Sequence, residues 1–245
     1  MLTALADGRL LAEKTGSTPP AIVALHGWAR SGADFAAIVS GLDAVAPHLP
    51  GFGPADEPPA VWGTEDYADL VADAIRPFGP VVILGHSFGG RVAARLAARH
   101  PELVSGLVLT GVPLLRPPAT SKPKLQFRIV KALVARGILS EAALERQRRK
   151  HGSRDYVNSS GTMRGVMVRT VNEAYEADLA AIRVPVRMVW GENDTEAPMP
   201  LGRNASGLID GASFRVVEGG GHLLEGAVAA AVREELVELI AEVSA

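Results

Sequence analysis

Along the first 112 residues, short apolar runs alternate with amphipathic stretches, and the two periodicities predict different elements. Ala21-Ile22-Val23-Ala24-Leu25 and Val81-Val82-Ile83-Leu84 carry no polar break, as strands buried on both faces do; Leu107-Val108-Leu109 is a shorter example. Val45 opens a further strand that runs into Pro50-Gly51-Phe52-Gly53. Between these runs, 33–42, 64–76 and 90–99 read as helices. Thr64 is placed to cap the second, with Glu65 and Asp66 in its positive first turn, and His100-Pro101 ends the third. Leu2–Ala6 and Leu10–Lys14 flank Asp7-Gly8, a hairpin signal that puts an antiparallel pair first. Strands separated by helices in this way predict an α/β protein whose sheet is mostly parallel, with helices on its faces.

The alternation breaks at Pro113, Pro117, Pro118 and Pro123. Beyond them the period is helical. Leu125, Ile129, Val130, Leu133 and Val134 share one face, Gly137 stops that helix and Ser140 caps the next. Met163, Val166, Met167, Val171 and Ala174 form another stripe. Strands then resume at Val186–Trp190 and Phe214–Val217, before a last helix over about 227–243. The organisation expected is a core of residues 1–112 and 183–245 with a helical insertion, 113–182, between its halves.

Composition narrows the function classes. A chain of 245 residues that is 47% hydrophobic can bury one elaborated domain. Its 25 Lys and Arg against 27 Asp and Glu leave a net charge of −2, which gives no global field for nucleic acid. The absence of cysteine removes disulfides, thiol nucleophiles, iron–sulfur clusters and Cys-type zinc sites, and fits a reducing, cytoplasmic setting. The first residues, Met1-Leu2-Thr3-Ala4-Leu5-Ala6-Asp7-Gly8, have neither a basic head nor a long apolar stretch, so no secretory signal is expected. Apolar runs such as 227–232 fall far below the roughly 20 residues of a membrane span.

The chemistry centres on Gly85-His86-Ser87-Phe88-Gly89-Gly90, a G-x-S-x-G sequence that directly follows an apolar strand and directly opens a helix. A tight strand-to-helix turn there would present the Ser87 hydroxyl at the sheet edge. Gly85 and Gly89 suit a turn too close for a Cβ, and the helix amides, Phe88 N–H first, would face negative charge on the substrate. A serine hydroxyl needs a base and something to orient that base. Of six histidines, His222 is best placed, because Glu218-Gly219-Gly220-Gly221 carries it past the last strand to the same edge. His86 and His26 read as structural, and His48, His100 and His151 as turn or surface residues. Asp194 follows the strand at 186–190 through Gly191-Glu192-Asn193, with Glu192 and Glu196 as rivals for the acid. The order Ser87, Asp194, His222 is the order of one type of catalytic triad.

Together with His26-Gly27-Trp28 and Pro50-Gly51-Phe52-Gly53, these motifs make nearly the whole chain resemble the α/β-hydrolase superfamily. The resemblance implies a mostly parallel eight-stranded sheet with helices on both faces, a helical lid formed by the insertion, and the backbone N–H groups of Trp28 and Phe88 as oxyanion donors. It implies a serine hydrolase, like the lid-bearing carboxylesterases, that cleaves esters of small or medium acyl groups through an acyl-enzyme without metal or organic cofactor. Serine at 87 speaks against the dehalogenases and epoxide hydrolases of the superfamily, whose nucleophile is Asp. Carbon–carbon bond hydrolases, thioester or carrier-bound ester hydrolases and non-catalytic ligand-binding members are the alternatives; the first commonly carry an aromatic where this chain has Leu223. His48 is a departure, since many relatives have Asp there.

Trp28, Phe127, Met163 and Met167 are the expected lining of the substrate pocket. The insertion is also lopsided in charge. Eleven Lys and Arg against three acids lie between Arg116 and Asp155, so the rest of the chain is acidic. Arg146, Arg148, Arg149 and Lys150 read either as a solvated face or as a patch that would draw an anionic substrate, an acyl carrier or an anionic lipid surface.

Overall fold

In the computed structural model, successive residues of the central strands go to opposite faces of one sheet. The structure describes residues 1–17, 19–116 and 161–244, with isolated positions at 133, 134, 136, 140 and 159. Strands β1 (Leu2–Leu5), β2 (Leu10–Thr15), β3 (Ile22–Leu25), β4 (Ala44–Pro47), β5 (Val81–His86), β6 (Val104–Thr110), β7 (Val186–Gly191) and β8 (Ser213–Val217) build it. Their order is β1-β2-β4-β3-β5-β6-β7-β8. The pairs β1–β2 and β2–β4 are antiparallel and all others parallel, so this is the mostly parallel eight-stranded sheet of the α/β-hydrolase fold. The helices are α1 (Thr64–Ile75), α2 (Phe88–Arg99), α3 (Gly161–Thr170), α4 (Glu176–Ala181), α5 (Met199–Ser206) and α6 (Gly226–Val243).

The unbroken apolar runs are explained by burial on both sides. Val23, Leu25, Val81, Ile83, Leu107 and Leu109 pack with Val71 and Ile75 of α1 and Val92 and Leu96 of α2. The alternate residues Ile22, Ala24, Val82, Leu84 and Val108 pack with Val232, Leu236 and Leu239 of α6 and with Phe35 and Ile38. Each large side chain so buried contributes on the order of 1.5–3 kcal/mol. Because the connections between parallel strands cross the faces, the loops after β3, β5, β7 and β8 emerge at one edge, where a doubly wound sheet offers its crevice.

Several local expectations change. The 33–42 stretch is not one helix. It is a 3-10 turn at Gly32–Phe35 followed by further turns; Gly32 itself lies against the Ala46 carbonyl, where a Cβ would fall 2.1 Å from that oxygen. The antiparallel β1–β2 hairpin forms as Asp7-Gly8 predicts, with the left-handed stretch starting one residue earlier: Ala6, Asp7 and Gly8 have φ of 50°, 56° and 86°. Gly63, not Thr64, precedes α1, and its N–H donates to Asp66 Oδ2 at 2.7 Å. The stripe at 163–174 stops short. The helix ends at Thr170, with Met163, Val166 and Met167 buried and Val171 exposed. Helices α4 and α5 had no sequence signal of their own; α5 starts behind Pro198 and spans too few residues for a clear period. Of the stripe Leu125, Ile129, Val130, Leu133 and Val134, the first three lie outside the described residues, and Leu133 and Val134 are helical. No described helix is long and apolar enough to cross a membrane.

Candidate active site

Strand β5 is buried along its whole length and delivers Ser87 to the start of α2 with φ 50° and ψ −115°. A left-handed non-glycine residue stores on the order of 1–3 kcal/mol, so the surroundings must enforce it. They do so by closeness. A Cβ on Gly85 would lie 2.6 Å from Gly90 Cα, and one on Gly89 would lie 2.1 Å from the Leu25 carbonyl oxygen. The Ser87 N–H donates to Thr110 O on β6 at 3.1 Å. The Ser87 carbonyl accepts from Gly90 and Arg91, so Phe88 and Gly89 are the first-turn amides left without a backbone acceptor among the described residues. Gly27 runs directly beside this turn: a Cβ there would be 3.1 Å from His86 Nδ1 and 3.4 Å from Ser87 Cβ. Trp28 follows it, and Ala29 is a second left-handed residue at φ 55°.

His222 and Asp194 are brought together. The Asp194 carboxyl is buried, and its Oδ2 accepts from His222 Nδ1 at 2.8 Å. Its Oδ1 accepts the backbone N–H groups of Glu196 (2.9 Å) and Ala197 (2.8 Å), which fix the carboxylate plane. With Nδ1 donating, Nε2 of a neutral imidazole is the basic nitrogen. Gly111 lies alongside, where a Cβ would fall 3.1 Å from the ring and 3.2 Å from Asp194 Oδ2. Of the two rivals for the acid, Glu192 Oε2 accepts from the Gly219 N–H at 3.0 Å, while Glu196 Oε2 stands 3.5 Å from His222 Nε2.

The link between the histidine and the serine turn is His86. Its Nε2 donates to the His222 carbonyl at 3.0 Å and the two rings lie 5.0 Å apart. Burial lowers the His86 pKa to about 4, so the ring is neutral with its proton on Nε2. Reading His86 as structural identified its type of role but not its partner, which is 136 residues away. His26 is likewise buried, with burial lowering its pKa to about 4. Its Nδ1 donates to Gly27 O at 2.8 Å and its Nε2 accepts from Leu49 N–H at 3.0 Å, tying the Gly27-Trp28 loop to the Pro50 loop. His48 corrects its surface reading. It is buried, with Nδ1 accepting from Gly32 N–H at 3.3 Å and Nε2 3.6 Å from Glu13. His100 is part-buried against Asp69 at 2.8 Å, and His151 lies outside the described residues.

The Trp28 ring packs edge-on against Phe52 (4.8 Å) and Phe88 (5.4 Å), and Phe88 continues through Tyr67 to Trp62. Met163 and Met167 are buried on α3, and Met163 presses on Gly51 so closely that a Cβ there would meet its sulfur at 2.2 Å. Phe127 and the basic residues Arg146, Arg148, Arg149 and Lys150 lie outside the described residues. A cavity of about 360 Å³, lined by Arg9, Pro54, Asp56, Pro59 and Trp62 among others, borders none of the predicted site residues.

A parallel sheet with a strained serine between its central strand and the following helix, and an Asp–His pair on the loops beside it, defines a hydrolase-type α/β scaffold. The chain belongs to the alpha/beta hydrolase family, whose sequence profile matches residues 22–235. It is 37% identical over 106 residues to a pyrethroid hydrolase of Sphingobium wenxiniae, covering 40% of this chain and 38% of that protein. It is 34% identical over 90 residues to a pimeloyl-[acyl-carrier protein] methyl ester esterase of Shewanella woodyi, covering 36% and 34%. A thermophilic esterase from Thermogutta terrifontis superposes with a TM-score of 0.71 at 22% identity, over 99% of both chains.

Proposed function

We propose that this chain is a serine hydrolase that cleaves carboxylic esters of small or medium acyl groups through an acyl-enzyme, with Ser87, His222 and Asp194 as its triad. The observation that carries the reading is the 2.8 Å bond from His222 Nδ1 to a buried Asp194, on a loop whose carbonyl is held by the residue before Ser87. A relative named as a methyl ester esterase, matching 36% of the chain, supports the bond type. In this mechanism His222 Nε2 takes the Ser87 proton as Oγ attacks the ester carbonyl. The Phe88 and Trp28 amides hold the oxyanion, and the same proton leaves with the alcohol. Water then repeats the cycle on the acyl-enzyme. Asp194 fixes the tautomer of the neutral ring and stabilises the imidazolium that forms. Residues 113–182 serve as the lid, with Trp28, Met163, Met167 and Phe127 on the acyl side.

The test is labelling by a fluorophosphonate together with multiple turnover of p-nitrophenyl esters of graded acyl length. Ser87→Ala is expected to lose both, with a fall in kcat of at least about 10³-fold and an unchanged melting transition. Turnover that persists in that variant overturns the reading. Labelling of Ser87 without turnover identifies a ligand-binding member instead.

A further inference from the structure

Both nitrogens of the His222 ring face a carboxylate from the same loop. Asp194 meets Nδ1 at 2.8 Å and Glu196 meets Nε2 at 3.5 Å. The two acids differ in setting: the Asp194 side chain is 1% exposed and the Glu196 side chain 64%. They are also mechanically joined, because Asp194 Oδ1 accepts the Glu196 backbone N–H at 2.9 Å and so fixes where the Glu196 side chain starts. His86 also lies against the ring, and its burial keeps it uncharged near neutral pH.

We propose that Glu196 is an electrostatic positioning residue for the proposed hydrolase, a solvent-side carboxylate that stabilises the imidazolium form of His222 from the Nε2 side while Asp194 orients the ring from the Nδ1 side. The inference rests on the triad reading above. Its consequences follow from the charge alone. A negative group at ion-pair distance from Nε2 favours the protonated ring, which raises the pH at which His222 becomes a base. It favours by the same factor any transition state in which the Ser87 proton has moved fully to Nε2. Removing it therefore lowers the midpoint of the pH profile and lowers the plateau together, while the rates well below the midpoint stay the same. A residue with a merely structural role has no reason to link those quantities. The Glu196 side chain of this pair is 64% exposed against 9% for His222, so added salt screens it from the Glu196 side, whereas the buried Asp194 bond is spared.

Glu196→Gln separates these outcomes when the rate of fluorophosphonate labelling of Ser87 is followed from pH 4.5 to 9, at low and at high salt. The variant is expected to show a midpoint lower by roughly 0.3–0.7 pH unit and a plateau lower by the same factor, about two- to fivefold. The acid limbs of the two profiles should overlie each other. High salt should bring the wild-type profile towards that of the variant and leave the variant nearly unmoved. A variant profile that coincides with the wild type, or a plateau change without a midpoint shift, overturns the role of Glu196 and leaves the triad standing. Absence of pH-dependent Ser87 labelling in the wild type overturns the triad reading itself.

Discussion

The turn that presents Ser87 and the segment that returns to the core at 161–181 are both anchored on α2, yet they are held in different ways. Around Ser87 the contacts are close, apolar and neutral: Gly89 against the Leu25 carbonyl, Phe88 among Trp28, Phe52 and Tyr67, and two buried histidines without charge. The returning segment buries Val166, Tyr175 and Leu179 but adds a set of ionic bonds that the turn lacks. Arg91 donates from Nε to Pro113 O (3.0 Å) and from Nη1 to Thr170 O (3.1 Å), so one guanidinium grips the chain where it leaves the core and where it comes back. Arg95 pairs with Asp178, donates to Ala174 O at 3.2 Å and stacks over Tyr175 at 4.9 Å. Glu173 accepts from the Thr64 hydroxyl, from Thr64 N–H (3.1 Å) and from Tyr175 Oη (2.8 Å). The contrast teaches that a strained turn needs steric enforcement, while a neighbouring segment can be fastened by charges whose strength depends on how far each is buried. Acid should therefore loosen the first region, and loss of single charges the second.

Mild acid gives the largest effect. His26 and His86 both have folded pKa values of about 4 against an ordinary 6.5, so between those values the unfolded chain binds more protons than the folded one. Stability from these two groups is complete above pH 6.5 and is lost as pH falls through that window to about 4. By pH 5 the pair is expected to cost about 4 kcal/mol. Urea unfolding at pH 7.5, 6 and 5 measures this. His86→Gln, whose side-chain amide can still donate to the His222 carbonyl, should flatten roughly half of the slope.

Gly89→Ala comes next. The added carbon would meet the Leu25 and His26 carbonyl oxygens at 2.1 and 2.6 Å, and both belong to backbone that cannot step aside without moving β3. A loss of about 3 kcal/mol is expected, with slower Ser87 labelling in whatever folds. A variant as stable as the wild type would mean that the turn is not sterically enforced.

These two regions also differ in how far the sequence revealed them. The turn was legible because its constraints are local: an all-apolar run, then Gly85, Ser87 and Gly89 at fixed spacing, then a helix. The Asp194–His222 pair was legible because each residue sits just past a strand on the same sheet edge. The ionic fastening was not, since Arg95 and Asp178 stand 83 residues apart and Thr64 and Glu173 stand 109 apart. A lone charge in a helix says nothing about which distant charge it meets. His48 shows the same limit from the other side. It is a polar residue buried by its neighbours, and no periodicity marks it.

Arg95→Met keeps the aliphatic stem and removes the guanidinium that Glu173 and Asp178 face. Their side chains are only 13% and 14% exposed, so stranding them should cost about 2 kcal/mol. Adding Asp178→Leu should recover part of the loss, and chemical unfolding of both variants checks the pair. If the single variant costs nothing, the returning segment is held by its apolar contacts and the contrast fails.

Arg169→Ala sets the lower bound. Arg169 also fastens the returning segment, through Glu65 (2.7 Å), Asp66 (3.4 Å) and Val61 O (2.9 Å), but its side chain is 40% exposed and that of Glu65 is 46% exposed. Water competes for such a pair and salt screens it, so a loss below about 1 kcal/mol is expected, disappearing at high ionic strength. The Arg95 effect should survive the same salt. Both arginines hold the same segment through carboxylates and a backbone carbonyl, and Arg95 is the more buried of the two and also stacks over Tyr175. Equal salt sensitivity would therefore show that the network around Arg95 opens to solvent, leaving the returning segment loosely held beside a rigid turn.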